Sequence, residues 1–343
     1  MWSERPNNWV STFQLPSWTY HDGERRHYLH SYLPEQPDLN WWNDEVREQF
    51  DRILRYWFDR GVAGFRIDAC YIIVKDRLLR DNPPAGSTDH LWDRNRGQRP
   101  VWNAHRPEVH DVLRRWRKVA VRYEPERVLI GATWVPEVSE LARYFGSGDE
   151  LHLPQYFQFL FANFDPPALC RVVEEWLEAI PDGQVPVWAA SSHDLSRFAS
   201  RWCNGNTGLT RTALTLLLTL PGACVLYQGD ELGLQDTVLQ TQELRDPAQP
   251  SRDPYRTPMP WRSDANGGFT TGRPWLPLGD VASCNVADQL RDFQSTLQHT
   301  RRLIMEKKRL TGPYRRVNVC DASWSYLRGD TMVELTFDPG SAT

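Results

Sequence analysis

Arg66 and Asp68 are the residues whose type and spacing point most directly to chemistry. They stand two apart in the short apolar stretch Gly64-Phe65-Arg66-Ile67-Asp68-Ala69-Cys70. A strand alternates its side chains, so Arg66 and Asp68 share one face while Phe65 and Ile67 pack on the other. A guanidinium fixed beside a carboxylate favours its ionised form. An ionised carboxylate at the end of a strand, ahead of a helix, is what covalent catalysis on a sugar requires. A structural Arg–Asp pair that closes a strand fits this segment alone equally well.

Two further polar groups follow short apolar runs. Val187-Trp188-Ala189-Ala190 leads into Ser191-Ser192-His193-Asp194, with Arg197 close behind, and a later run ends Tyr227-Gln228-Gly229-Asp230-Glu231. A His-Asp dipeptide by itself more often caps a helix. Polar residues gathered at the C-terminal ends of parallel strands, however, mark the functional face of barrel folds.

The elements that must carry these residues can be read from periodicity. Residues 1–43 are irregular, broken by Pro6, Pro16 and Pro34. From Asp44 the apolar positions Val46, Phe50, Ile53, Leu54, Trp57 and Phe58 recur at helical spacing, and Gly61 stops the run. A strand at 64–68 follows. Helix then alternates with strand: helices near 107–122, 136–145, 168–179 and 207–220 lead to strands at 127–132, 150–161, 185–190 and 223–227. One long helix is expected over 284–309. The alternation implies parallel strands joined by right-handed crossovers. Five strands satisfy an open doubly wound sheet but fall short of an eight-stranded barrel. After Pro313 the pattern alternates as in antiparallel strands.

Composition bounds the partners. A chain of 343 residues with 40 basic and 44 acidic side chains, net charge −4, carries no basic stripe that would suggest nucleic acid. Lys307-Lys308-Arg309 closes a helix, where positive charge suits the macrodipole. The longest apolar run, 213–227, is interrupted by Pro221-Gly222 and is too short to span a bilayer. The six cysteines lie far apart, without zinc spacing, and no leader is evident, so a cytoplasmic setting is expected. Sixteen tryptophans suit either a large aromatic core or sugar stacking.

Five motifs in chain order resemble glycoside hydrolase family 13, the α-amylase family, in its bacterial α-glucosidase and oligo-1,6-glucosidase branch. Gln36-Pro37-Asp38-Leu39-Asn40 is similar to that branch's signature, and the segment 61–68 to the family's nucleophile region. Ser191-Ser192-His193-Asp194 resembles the last catalytic region, with Ser192 where the family usually has Asn. Tyr227-Gln228-Gly229-Asp230-Glu231 and Arg256-Thr257-Pro258-Met259-Pro260-Trp261 complete the set. The resemblance implies Asp68 as nucleophile, Arg66 holding it, Asp194 as transition-state stabiliser, and His193 and Arg197 as substrate-binding residues. Ala69 would lean towards α-1,4 over α-1,6 bonds. Substrates would be α-glucoside oligosaccharides or disaccharides, and no cofactor or metal is implied.

Two departures shape the expectation. The family places a Glu directly after the Gly that ends its third catalytic strand, and here Leu129-Ile130-Gly131 is followed by Ala132. The proton donor would therefore be lost, a factor of roughly 10²–10⁴ in rate, or ~3–5 kcal/mol. Glu137 lies nearby in sequence, on the following helix. Secondly, only residues 1–35 precede the Gln36 motif, whereas the family has three strands and an Asp/His-bearing region there.

The expected architecture is thus α/β, a partial TIM (β/α)8 barrel comprising strands 4–8 and their helices. Residues 1–43 would be a remnant of inserted domain B, 44–311 the C-terminal part of the barrel, and 312–343 the start of a C-terminal antiparallel β-domain. The expected function is a truncated α-glucosidase, impaired or inactive as this chain, with a complementing N-terminal fragment as a possible partner. Two alternatives stand beside it: a non-catalytic family-13-like binding or scaffold protein, and an active α-glucosidase whose N-terminal part is missing from this chain. A five-stranded nucleotide-binding sheet is set aside, because no Gly-rich phosphate loop follows the first strand.

Overall fold

The computed structural model describes residues 4–248 and 250–338. The outermost residues of the expected segments 1–43 and 312–343, namely 1–3 and 339–343, lie outside the described residues. The chain divides into two compact units, residues 1–155 with 181–184, and residues 156–180 with 185–343.

In the first unit the stretch expected to be irregular contains a hairpin. Strands β1 (Trp18–His21) and β2 (Arg26–Leu29) pair antiparallel, with Trp18 opposite Leu29. Asp22-Gly23 supplies the turn, and Arg25 closes it at a left-handed φ of 50°. Helix α1 (Asp44–Phe58) begins where the Asn43 side chain accepts the Glu45 N–H, with Asp44 and Glu45 at the positive end of its dipole. Strand β3 (Gly64–Ile67) lies so close to its neighbour that a Cβ on Gly64 would stand 2.3 Å from the Val128 carbonyl oxygen. Helix α2 (Leu91–Arg96) is short. Helix α3 (Glu108–Ala120) buries Val109, Val112, Leu113, Trp116 and Val119. Trp116 meets Trp41 edge-on at 5.5 Å, and Trp41 packs on Phe50 of α1 at 4.7 Å.

Strand β4 (Val128–Gly131) runs parallel to β3 with Ile67 opposite Gly131. Helix α4 (Val138–Ala142) follows, then β5 (Leu153–Pro154), and the strand order is β3-β4-β5. The strand expected over 150–161 is thus cut to two residues. Pro154 has no N–H to extend the ladder. Beyond it the aromatic run forms helix α5 (Phe157–Phe161) in the second unit. There Tyr156 stacks on Trp176 at 5.1 Å and Phe159 meets Trp188 at 5.3 Å. Tyr156, Phe159 and Leu160 are all buried, a three- and four-residue spacing that belongs to a helix.

The second unit continues with α6 (Pro166–Ala179), β6 (Val187–Ala189), α7 (Phe198–Arg201), α8 (Thr207–Thr219) and β7 (Ala223–Val225). Strands β6 and β7 pair parallel, Trp188 opposite Cys224. The single helix expected over 284–309 is two, α9 (Val286–Arg291) and α10 (Thr296–Lys307). Asp292 and Ser295 divert the backbone between them. The Asp292 carboxylate accepts the Gln294 N–H at 2.8 Å, and Ser295 caps α10 by accepting from Gln298.

Strands β8 (Tyr314–Cys320), β9 (Ser323–Arg328) and β10 (Thr331–Thr336) form the expected antiparallel sheet. The sheet docks within this unit. Tyr326 shares a 2.6 Å hydrogen bond with Thr219 of α8, and Tyr314 donates to Glu174 of α6 at 3.2 Å. The parallel sheets β3-β4-β5 and β6-β7, whose strands alternate with helices, together with this antiparallel sheet, make the fold a partial (β/α)8 barrel with a C-terminal antiparallel sheet. Among the described residues no helix is long and apolar enough to cross a membrane.

Candidate active site

In the first unit Asp68 stands one residue beyond β3, and the Arg66 guanidinium donates to its carboxylate. The two side chains share one face of the strand, as alternation requires, and the Asp68 side chain is 68% exposed. Ala69 then takes a left-handed conformation at φ 42°, ψ 41°. A residue with a Cβ is held there at a cost of about 1–3 kcal/mol, and the chain turns sharply straight after the carboxylate. Cys70, next in line, is fully buried, and burial raises its thiol pKa far above the ordinary value.

The β3–β4 ladder continues past both strands, because the Ala132 N–H donates to the Ile67 carbonyl at 2.9 Å. Asp68 and Ala132 therefore follow the Ile67–Gly131 pair at the same level on neighbouring strand ends. Ala132 itself carries only a methyl group and is buried. Gly131 before it is packed so tightly that a Cβ would stand 2.2 Å from Leu151 Cδ1. Glu137 is exposed just ahead of α4.

A cavity of about 410 Å³ lies beside this strand end, lined by Arg66 and Asp68 together with apolar residues that include Phe50, Leu54, Phe65 and Ile67. Asp38 of the Gln36–Asn40 motif closes its rim. It pairs with Lys75 at 3.0 Å and accepts the Ser31 hydroxyl at 2.6 Å, which ties the motif to the turn following Asp68.

In the second unit Asp194 is the hub. Its Oδ1 accepts from Arg252 at 2.6 Å and from Arg256 at 2.9 Å, and its Oδ2 lies 3.2 Å from His193 Nε2. Arg256 also donates to the His193 carbonyl at 2.6 Å. Behind Arg252, the buried Asp246 accepts two guanidinium hydrogen bonds, at 2.6 and 2.8 Å. These bonds hold the Asp246 carboxyl well below the usual carboxylate range. The segment carrying both arginines is itself pinned. Tyr227 donates to the Tyr255 carbonyl at 2.8 Å and Gln228 to the Thr257 carbonyl at 3.1 Å.

Arg252 and Arg256 were not among the sequence candidates. Arg256 lay inside the quoted Arg-Thr-Pro-Met-Pro-Trp motif, which was its available signal, whereas nothing local marked Arg252. Arg197, implied as a substrate-binding residue, is buried. It has no exposed surface, its guanidinium donates to the Gln228 carbonyl, and it lies 4.9 Å from the centre of the Tyr227 ring. It therefore braces the loop after β7 from beneath. Asp230 on that loop is also fully buried, accepts the Tyr227 N–H at 2.9 Å, and is pushed up to about 7 by burial.

The fold defines a chain of the partial (β/α)8-barrel class, and each of its two units holds a carboxylate gripped by arginine. The chain belongs to the alpha-amylase catalytic-domain family ("Alpha amylase, catalytic domain"), which matches residues 2–311. A "Probable alpha-glucosidase" of Rhizobium meliloti (strain 1021) is 34% identical over 88% of this chain and 58% of its own length. An "Alpha-glucosidase" of Culex pipiens is 33% identical over 87% of this chain and 52% of its own length. The solved structure of the "alpha-glucosyl transfer enzyme, XgtA" superposes with a TM-score of 0.85 at 32% identity, covering 96% of this chain and 65% of that one. A trehalose-6-phosphate hydrolase of Bacillus licheniformis superposes at 0.83 and 25% identity, covering 97% and 66%. The chain spans about half the length of the curated relatives it matches.

Proposed function

We propose that this chain carries the nucleophile and the transition-state carboxylate of an α-glucosidase-type, retaining glycoside hydrolase. Its favoured substrates would be α-1,4-linked gluco-oligosaccharides or disaccharides, and its activity would be impaired by the alanine at 132. The observation that carries the reading is the β3–β4 register, which puts Asp68, gripped by Arg66, beside position 132. In this reading Asp68 attacks the anomeric carbon, Arg66 orients it, and Asp194 with His193 binds sugar hydroxyls and steadies positive charge as the bond breaks. Arg252 and Arg256 hold Asp194 in place. The α-glucosidase names of the relatives support the substrate class.

In this reading residues 1–43, 44–311 and 312–343 are inserted-domain, barrel and C-terminal β segments. It includes a complementing segment with further strands, for which β3 has an edge not used by β4 and the adjoining cavity is apolar. It also includes a reducing, cytoplasmic setting, which six free thiols suit. Ala132 favours one second reading, a non-catalytic binding or scaffold protein.

Calorimetry with maltose, paired with a maltose hydrolysis assay, separates the two. Binding that weakens at least 10-fold in Asp194→Asn, with hydrolysis roughly 10²–10⁴-fold below an ordinary glucosidase, is expected. Absence of any sugar binding by the folded chain would leave only the scaffold reading, and turnover at ordinary rates would refute the impairment.

A further inference from the structure

In a retaining glycosidase one side chain protonates the departing oxygen and later deprotonates the incoming water. No residue flanking position 132 can take over either task. Ala132 has both backbone groups engaged, its N–H with the Ile67 carbonyl at 2.9 Å and its carbonyl with Cys70 Sγ at 3.6 Å. The Thr133 hydroxyl is fully buried and donates to the Gln155 carbonyl at 3.1 Å. Gly131 has no side chain, and the Cys70 thiol is sealed from solvent. Asp68 keeps what a nucleophile needs, an exposed carboxylate oriented by Arg66. The surviving half of the machinery forms and breaks the C1–carboxylate bond without moving a proton.

Resting on the reading of Asp68 as nucleophile, we infer that this site transfers glucose between weakly basic anions rather than to water. Donors are α-glucosides whose leaving group departs as a stable anion, such as a phosphate or a carboxylate, and acceptors are anions of the same class. In the first step an Asp68 oxygen attacks C1 and the C1–X bond breaks. X⁻ leaves with the electron pair, and a β-glucosyl ester of Asp68 remains. In the second step Y⁻ attacks C1 from the face X left. The ester bond breaks, giving the α-glucosyl–Y product and regenerating the Asp68 carboxylate. Charge balances in each step with no acid or base. Ordinary disaccharides are poor donors because a sugar alkoxide does not leave unprotonated, and water is a poor acceptor because nothing takes its proton.

The test uses the full chain with α-glucosyl fluoride as donor and sodium azide or sodium formate as acceptor. Fluoride release and intact protein mass are followed, and circular dichroism checks the fold. The expected results are an adduct of one glucosyl unit on Asp68 and fluoride release that azide accelerates roughly 10²-fold or more, on the scale of the missing general base. α-Glucosyl azide is the expected product, and Asp68→Asn should abolish all three. An adduct that discharges equally fast with and without azide would overturn the inference and leave Asp68 standing as nucleophile. No adduct and no fluoride from a folded chain would overturn both.

Discussion

Asp194 shows how much of a carboxylate's character is set by its neighbours. Two guanidiniums converge on one of its oxygens, and Asp246, through two further hydrogen bonds, fixes the orientation of Arg252. Asp246→Ala should remove two hydrogen bonds from the half-buried Arg252 guanidinium, which keeps its bond to Asp194, at a cost of about 2 kcal/mol in urea unfolding. Because the folded Asp246 pKa is depressed, its contribution is complete above the ordinary carboxylate range and vanishes only as pH falls below it.

Asp230 behaves in the opposite sense. Burial raises it from 3.8 to about 7, so the folded chain holds a proton that the unfolded chain has released across that window. Stability should therefore fall as pH rises from 3.8 towards 7 and flatten above. Asp230→Asn should remove that slope in melting curves recorded across the range, and an unchanged slope would refute the assignment.

At the scale of the element, close backbone approach sets the geometry. A Cβ at Gly64 would overlap the Val128 carbonyl at 2.3 Å, and the contact is backbone, so neither partner can rotate away. Gly64→Ala should cost about 1–3 kcal/mol and disturb the register that sets Asp68 beside Ala132. Chemical denaturation measures the first effect, and loss of sugar binding would report the second. Ser295→Ala removes the cap of α10 and should cost about 1 kcal/mol.

The elements also show where periodicity suffices. Helix α1 was legible because its apolar spacing and the stop at Gly61 agree. The residues after Pro154 misled because an aromatic run suits strand and helix alike. Only packing on Trp176 and Trp188 selects the helix. The break between α9 and α10 was hidden because Asp292 and Ser295 are tolerated on helix surfaces until their side chains bond the backbone.

Over the whole molecule, the parallel ladders are short: β3 is bordered by β4 alone among the described residues, beside an apolar cavity. An open strand edge next to apolar surface invites pairing with another chain. The purified chain should therefore self-associate with rising concentration in light scattering, most strongly near its pI of about 6.2, where net charge vanishes. A monodisperse monomer at that pH would argue against an accessible edge.

The amino-acid order by itself determined the strand–helix alternation, the identity of Asp68, His193 and Asp194, and the alanine at 132. Those rest on residue type and local spacing. Only the folded chain decided that Arg197 is buried bracing, that Arg252 and Arg256 hold Asp194 from some sixty residues away, and that Ala132 stands level with Asp68 across a ladder. Such facts depend on strand register and loop packing, long-range free energies that no local window of sequence contains.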